Sequence, residues 1–126
     1  MSDKSRIFVV DDDPLFAEML SDHLKDELYA EVSSFPTGEA CLAKINTKPD
    51  LIVLDYHLNS REKSAANGVD ILREIKGEQK AVPVIMLSSQ ESYATASQSI
   101  MYGAIHYVIK GKEAFDEVVK IAKANL

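Results

Sequence analysis

The stretch "DLIVLD", residues 50–55, sets four apolar side chains between two carboxylates, the pattern of a central parallel strand covered on both faces. Upstream, "RIFVVDDDP", residues 6–14, is a second short apolar strand that runs straight into Asp11, Asp12 and Asp13. Pro14 then suits the first turn of a helix, where its missing N–H costs nothing. Downstream, "VPVIMLSS", residues 82–89, is another near-continuous apolar run, with Pro83 tolerable at its start. A strand at residues 31–35 and "AIHYVIK", residues 104–110, complete a set of five.

Helical patterns fill the intervals. Over residues 15–28, Leu15, Phe16, Met19, Leu20, Leu24 and Leu28 recur at amphipathic spacing. Shorter helices are expected at residues 37–45, after the turn signals Pro36 and Gly38, and at residues 69–76, where Val69, Leu72 and Ile75 share a face. Small residues dominate a helix at 93–102, and Phe115, Val118, Val119 and Ala122 stripe a last one at 113–124. Strand and helix alternate five times, so the economical architecture is α/β: a five-stranded parallel sheet with helices on both faces.

Size and charge narrow the function. With 126 residues and 46% hydrophobic content, the chain fits one folded domain, residues 1–126, and has no room for a second catalytic or DNA-binding one. Its apolar runs are too short to span a bilayer, which gives an expectation of a cytoplasmic protein without a membrane partner. A net charge of −6 and the absence of a basic stripe argue against direct nucleic-acid binding. The lone Cys41 reads as a small buried thiol.

In a parallel α/β sheet the loops at the carboxyl ends of the strands meet along one rim, where ligands bind. That rim carries Asp12 and Asp13 after the first strand, Asp55 after the third, Ser88 and Ser89 after the fourth, and Lys110 after the fifth. Converging carboxylates repel and raise one another's pKa values, a conflict that a hard divalent cation such as Mg²⁺ removes. Asp11 should point away from Asp12 in extended backbone and so contribute less. The plainer alternative for Asp12 and Asp13, carboxylates favoured by a helix N-terminus, leaves Asp55 and Lys110 unexplained. Asp55 could attack a phosphoryl group while Lys110 offsets charge on its oxygens and Ser88 donates a hydrogen bond. An ordinary turn-starting aspartate is the bland reading of Asp55.

The motifs "VVDDDP", "LIVLD", "VIMLSS" and "HYVIK", in that order, resemble the receiver domain of two-component response regulators, including the single-domain chemotaxis type. The resemblance implies a doubly wound, flavodoxin-like, three-layer fold. It also implies that Asp55 is phosphorylated by a sensor histidine kinase or a histidine phosphotransfer protein, with autodephosphorylation as the return step. Mg²⁺ would be held by Asp12, Asp13, Asp55 and the backbone carbonyl of His57. Ser88 and Tyr107 would form the two halves of a switch, with Lys110 on the phosphoryl group. The face of the fourth helix, fifth strand and fifth helix would pass the signal to a downstream protein or to a second copy, in a phosphorylation-dependent homodimer. Three departures stand out: after Asp55, Asn59 takes the place of the usual proline and "SREKSAAN" lengthens the path to Gly68; Gly111 replaces the usual proline after Lys110; and Ser89 follows the switch hydroxyl where alanine is common. A non-phosphorylated interaction module of the same fold is the main alternative. A haloacid-dehalogenase-like phosphatase using Asp11 and Asp13 is a weaker one.

Overall fold

The computed structural model describes residues 4–59 and 64–126. Five parallel strands, β1 (Ser5–Val10), β2 (Ala30–Phe35), β3 (Leu51–Asp55), β4 (Val84–Ser88) and β5 (His106–Ile109), form one sheet in the order β2-β1-β3-β4-β5. Between and after them run α1 (Pro14–Glu27), α2 (Gly38–Leu42), α3 (Gly68–Glu78), α4 (Tyr93–Met101) and α5 (Ala114–Asn125). This is the three-layer, doubly wound, flavodoxin-like arrangement, with the order reversing between β1 and β3.

Strand alternation builds two cores. Ile7 and Val9 of β1, Leu51 and Val53 of β3, Ile85 and Leu87 of β4 and Val108 of β5 meet Leu20 and Leu24 of α1 and Val118 and Ala122 of α5. On the opposite face, Phe8, Val10, Ile52, Leu54, Val84 and Met86 meet Cys41 and the α3 residues Ile71, Leu72 and Ile75. Each fully buried aliphatic side chain contributes about 2 kcal/mol, so both faces hold the sheet in place. Burial pushes the Cys41 thiol up to about 12, as an inert core thiol requires.

Helices α1 to α4 start where a side chain caps them, whereas Glu113 makes no such bond at the start of α5. Asp13 accepts from Leu15 N–H and Phe16 N–H at α1, Thr37 from Ala40 N–H at α2, Asn67 from Asp70 N–H at α3 and Ser92 from Thr95 N–H at α4. The helix expected over residues 37–45 is shorter, ending at Leu42, with a 3₁₀ turn at Ile45–Thr47 closed by Lys48 at φ 60°. In α1 the buried stripe is Ala17, Leu20, Ser21 and Leu24. Leu15 and Met19, expected on that stripe, face solvent. His23 lies in the α1–α5 seam, its ring 5.6 Å from that of Phe115 and its Nε2 3.3 Å from Asp116. On α4 only Ser99 is buried, its hydroxyl donating to Thr95 O. Of the lengthened loop after Asp55, residues 60–63 lie outside the described residues; Ala66 N–H donates to the Glu39 carboxylate of α2 at 2.9 Å.

Candidate functional site

Register decides which side chains meet at the carboxyl ends of the strands. Val10 of β1 pairs with Leu54 of β3, so Asp11, one residue on, comes level with Asp55. Asp11 continues the Ile7–Val9 face and Asp55 the Leu51–Val53 face, while Lys110 continues the face of Val108. All three therefore project to the α1–α5 side of the rim. The Lys110 ammonium lies 2.9 Å from Asp11 Oδ2 and 3.4 Å from Asp55 Oδ1.

Carboxylate oxygens of Asp11, Asp12 and Asp55 all fall within 4.8 Å of one another. The converging pair is thus Asp11 and Asp12, one residue earlier than the Asp12 and Asp13 read from the sequence. Asp11 does not point away: it is 1% exposed, and its Oδ1 accepts from Asp13 N–H at 2.9 Å. Asp13 stands at the edge of the cleft with Oδ1 engaged as the α1 cap, 3.1 Å from Leu15 N and 3.3 Å from Phe16 N. The signal that could have found this shift is the alignment of "FVVD" with "IVLD" as neighbouring strands ending on the same residue type.

The cleft, about 430 Å³, is lined by Asp12, Asp13, Asp55, His57, Ser89, Gln90 and Lys110. A larger depression at the amino ends of the strands, around Arg6, Lys48 and Asp50, gathers no comparable set of carboxylates among the described residues. Asp55, 2% exposed, is pushed up to about 7 by burial and then by the neighbouring Asp11 charge, against the opposing pull of Lys110 and of His57 N–H, which donates to Asp55 Oδ1 at 3.2 Å. Burial pulls Lys110 down, but its hydrogen bond to Asp11 and the charges of Asp55 and Asp11 outweigh that and leave it raised. Three hard oxygen donors at this spacing suit a small divalent cation that completes its shell with water and substrate oxygens.

Ser88 ends β4 fully buried, and its hydroxyl accepts from Gln90 N–H at 3.1 Å. Tyr107 donates its hydroxyl to Gln90 O at 2.7 Å. Gln90, not singled out by the sequence, therefore joins the two. His106 is exposed on β5, on the strand face opposite Tyr107. Gly68 was also undervalued. A Cβ there would strike Asp55 O and come within 2.7 Å of Tyr56 Cα, so only glycine lets α3 begin against the backbone that carries Asp55.

A sequence model of the response regulator receiver domain matches residues 7–123. The chain belongs to that family. Among its relatives, this receiver domain is 33% identical over 107 residues to the DNA-binding response regulator MtrA of Mycolicibacterium smegmatis, covering 85% of the chain and 44% of MtrA. It thus spans less than half the length of that relative. The receiver domain of NtrX from Brucella abortus superposes with a TM-score of 0.84 at 30% identity, covering 95% of this chain and 97% of that one. A CheY-like receiver domain protein from Methanospirillum hungatei gives 0.82 at 25% identity, with 96% and 93% covered. In this receiver domain the Asp11, Asp12 and Asp55 cluster is the phosphoacceptor site, of the kind that serves Mg²⁺-dependent phosphotransfer signalling. Among the described residues no helix is long and apolar enough to cross a membrane.

Proposed function

We propose that the chain, read as one receiver domain over residues 1–126, is a phosphorylation switch whose acceptor is Asp55. The observation that carries this is the convergence of Asp11, Asp12, Asp55 and Lys110 on one rim through matched strand register. An Asp55 carboxylate oxygen attacks the phosphorus of a phosphohistidine on a sensor histidine kinase or phosphotransfer protein. The O–P bond forms as the donor N–P bond breaks, and the electron pair stays on the imidazole, which takes a proton from solvent. Asp11, Asp12 and Asp55, with the carbonyl of His57, would hold Mg²⁺, which would supply neutralisation of charge on the carboxylates and the phosphoryl oxygens. In this reading Asp13 serves α1 rather than the ion, its Oδ1 accepting from Leu15 N–H and Phe16 N–H.

Lys110 stays within reach of the acceptor and offsets charge on the phosphoryl oxygens. Ser88 gives up its contact with Gln90 N–H to donate to the new phosphate, and the pull reaches Tyr107 through Gln90 O. The product is an altered α4–β5–α5 face. Tyr93 and Met101 of α4 stand 90% and 75% exposed, apolar surface suited to a downstream protein or to a second copy. Self-phosphorylation and autodephosphorylation are the only turnover in this reading. The DNA binding in MtrA's name belongs to that longer protein.

Incubation with Mg²⁺ and acetyl phosphate, followed by intact-mass measurement, tests the switch. One phosphoryl group should be gained, labile to base and absent from Asp55→Asn. An unchanged mass would instead make the domain a non-phosphorylated interaction module.

A further inference from the structure

A lysine at a strand end has four rotatable bonds, and its ammonium acts only where something holds it. Gly111 follows it here, and a Cβ at that position would meet nothing within 4 Å, so no neighbouring side chain packs over the residue after Lys110. Three groups hold the ammonium instead: Asp11 at 2.9 Å, Asp55 at 3.4 Å, and the face of Phe16, whose ring centroid lies 4.6 Å from Lys110 Nζ. The two carboxylates are the groups that the proposed chemistry uses, since Asp11 turns to the cation and Asp55 to phosphorus. A phenyl ring takes part in neither exchange, so nothing in that chemistry draws it from the ammonium.

Phe16 is itself braced. Its ring packs edge-on against Phe115 at 5.4 Å, and Phe115 packs against His23 at 5.6 Å, so the ring belongs to the half-buried seam of α1 and α5. A π-face in such a partly desolvated position attracts an ammonium electrostatically, which an aliphatic side chain of similar size cannot do. We infer that Phe16 is a positioning residue, whose ring holds the Lys110 ammonium over the acceptor while the carboxylates change partners. This rests on the reading of Lys110 as the charge-offsetting group in phosphoryl transfer.

The test uses the full chain with ¹³C-labelled lysine and four variants. In the wild type the Lys110 Hε resonances should be shifted upfield by the Phe16 ring current, with the assignment fixed by their loss in Lys110→Ala. Phe16→Leu should abolish that shift and slow phosphorylation by acetyl phosphate at saturating Mg²⁺ by about 5- to 20-fold, the size expected for one desolvated cation–π contact. Phe16→Tyr should restore both, and melting curves establish that each variant is folded. If Phe16→Leu does not fold, Phe16→Met makes the same comparison with a more adaptable side chain. A folded variant lacking the ring and phosphorylated within twofold of wild type overturns the inference, as does a wild type without the upfield shift. If Lys110→Ala is phosphorylated as fast as wild type, the reading of Lys110 falls; if it is slow while Phe16→Leu is not, only the role of Phe16 falls.

Discussion

At the scale of single residues, the division of labour among three consecutive aspartates is the main result. Asp11 pairs with Lys110, Asp12 joins the metal-suited cluster, and Asp13 caps α1. Their substitutions should therefore separate cleanly. Asp13→Ala should lower unfolding stability in urea by about 1 kcal/mol, the usual worth of an N-cap, while leaving Mg²⁺ affinity in calorimetry within about twofold. Asp12→Ala should do the reverse, weakening Mg²⁺ strongly with little change in the urea midpoint. Equal loss of Mg²⁺ affinity in both would restore the pair read first from sequence. Three identical residues in a row carry no local signal of which one ends the strand, so only the comparison of "FVVD" with "IVLD" as paired neighbours could separate them.

At the scale of elements, two features tie structure to switching. The start of α3 is pressed onto the Asp55–Tyr56 backbone by Gly68, whose N–H also donates to Tyr56 O at 2.9 Å. Gly68→Ala should push that backbone away, costing on the order of 2 kcal/mol of stability and slowing acetyl-phosphate labelling as well. Stability lost with the labelling rate intact would show that α3 can shift without moving Asp55. The second feature is α4, which buries only Ser99 among its nine residues, whereas α1 and α5 each bury four. With so little apolar surface to hold it, α4 should open locally well below the global unfolding free energy. Amide exchange in its central turn should run at least about tenfold faster than in α1 or α5; equal protection would refute an easily biased α4. The positions of these helices were legible from periodicity. Their unequal burial was not, since small residues such as Ala96 and Ser99 look alike in sequence whether they face the sheet or solvent.

For the whole molecule, the buried acceptor makes stability depend on pH and on metal. Asp55 is pushed up to about 7 from an ordinary 3.8, so between those values the folded chain holds a proton that the unfolded chain has released. Its contribution is complete below the ordinary value and is lost as pH rises through about 7, on the order of 4 kcal/mol. In chelator, the difference in stability between wild type and Asp55→Asn should therefore grow as pH is raised from 5.5 to 8, with the variant the more stable at the upper end. Mg²⁺ binds only the folded cluster and should restore the wild type at pH 8 in proportion to its concentration, leaving Asp55→Asn little changed. Parallel pH profiles for the two proteins would contradict a raised acceptor.

What the sequence determined by itself is the succession of strands and helices, the parallel sheet, and the supply of carboxylates, hydroxyls and a lysine at strand ends. Those follow from the spacing of apolar residues within each short segment, which is local information. Only the tertiary structure decided that Asp11 rather than Asp13 stands beside Asp55, that Gln90 links Ser88 to Tyr107, and that Phe16 lies under Lys110. Each of those depends on the register of strands, or the seating of helices, far apart in the chain. That register is fixed by ladder hydrogen bonds and core packing once the whole sheet has formed, so no single segment can specify it.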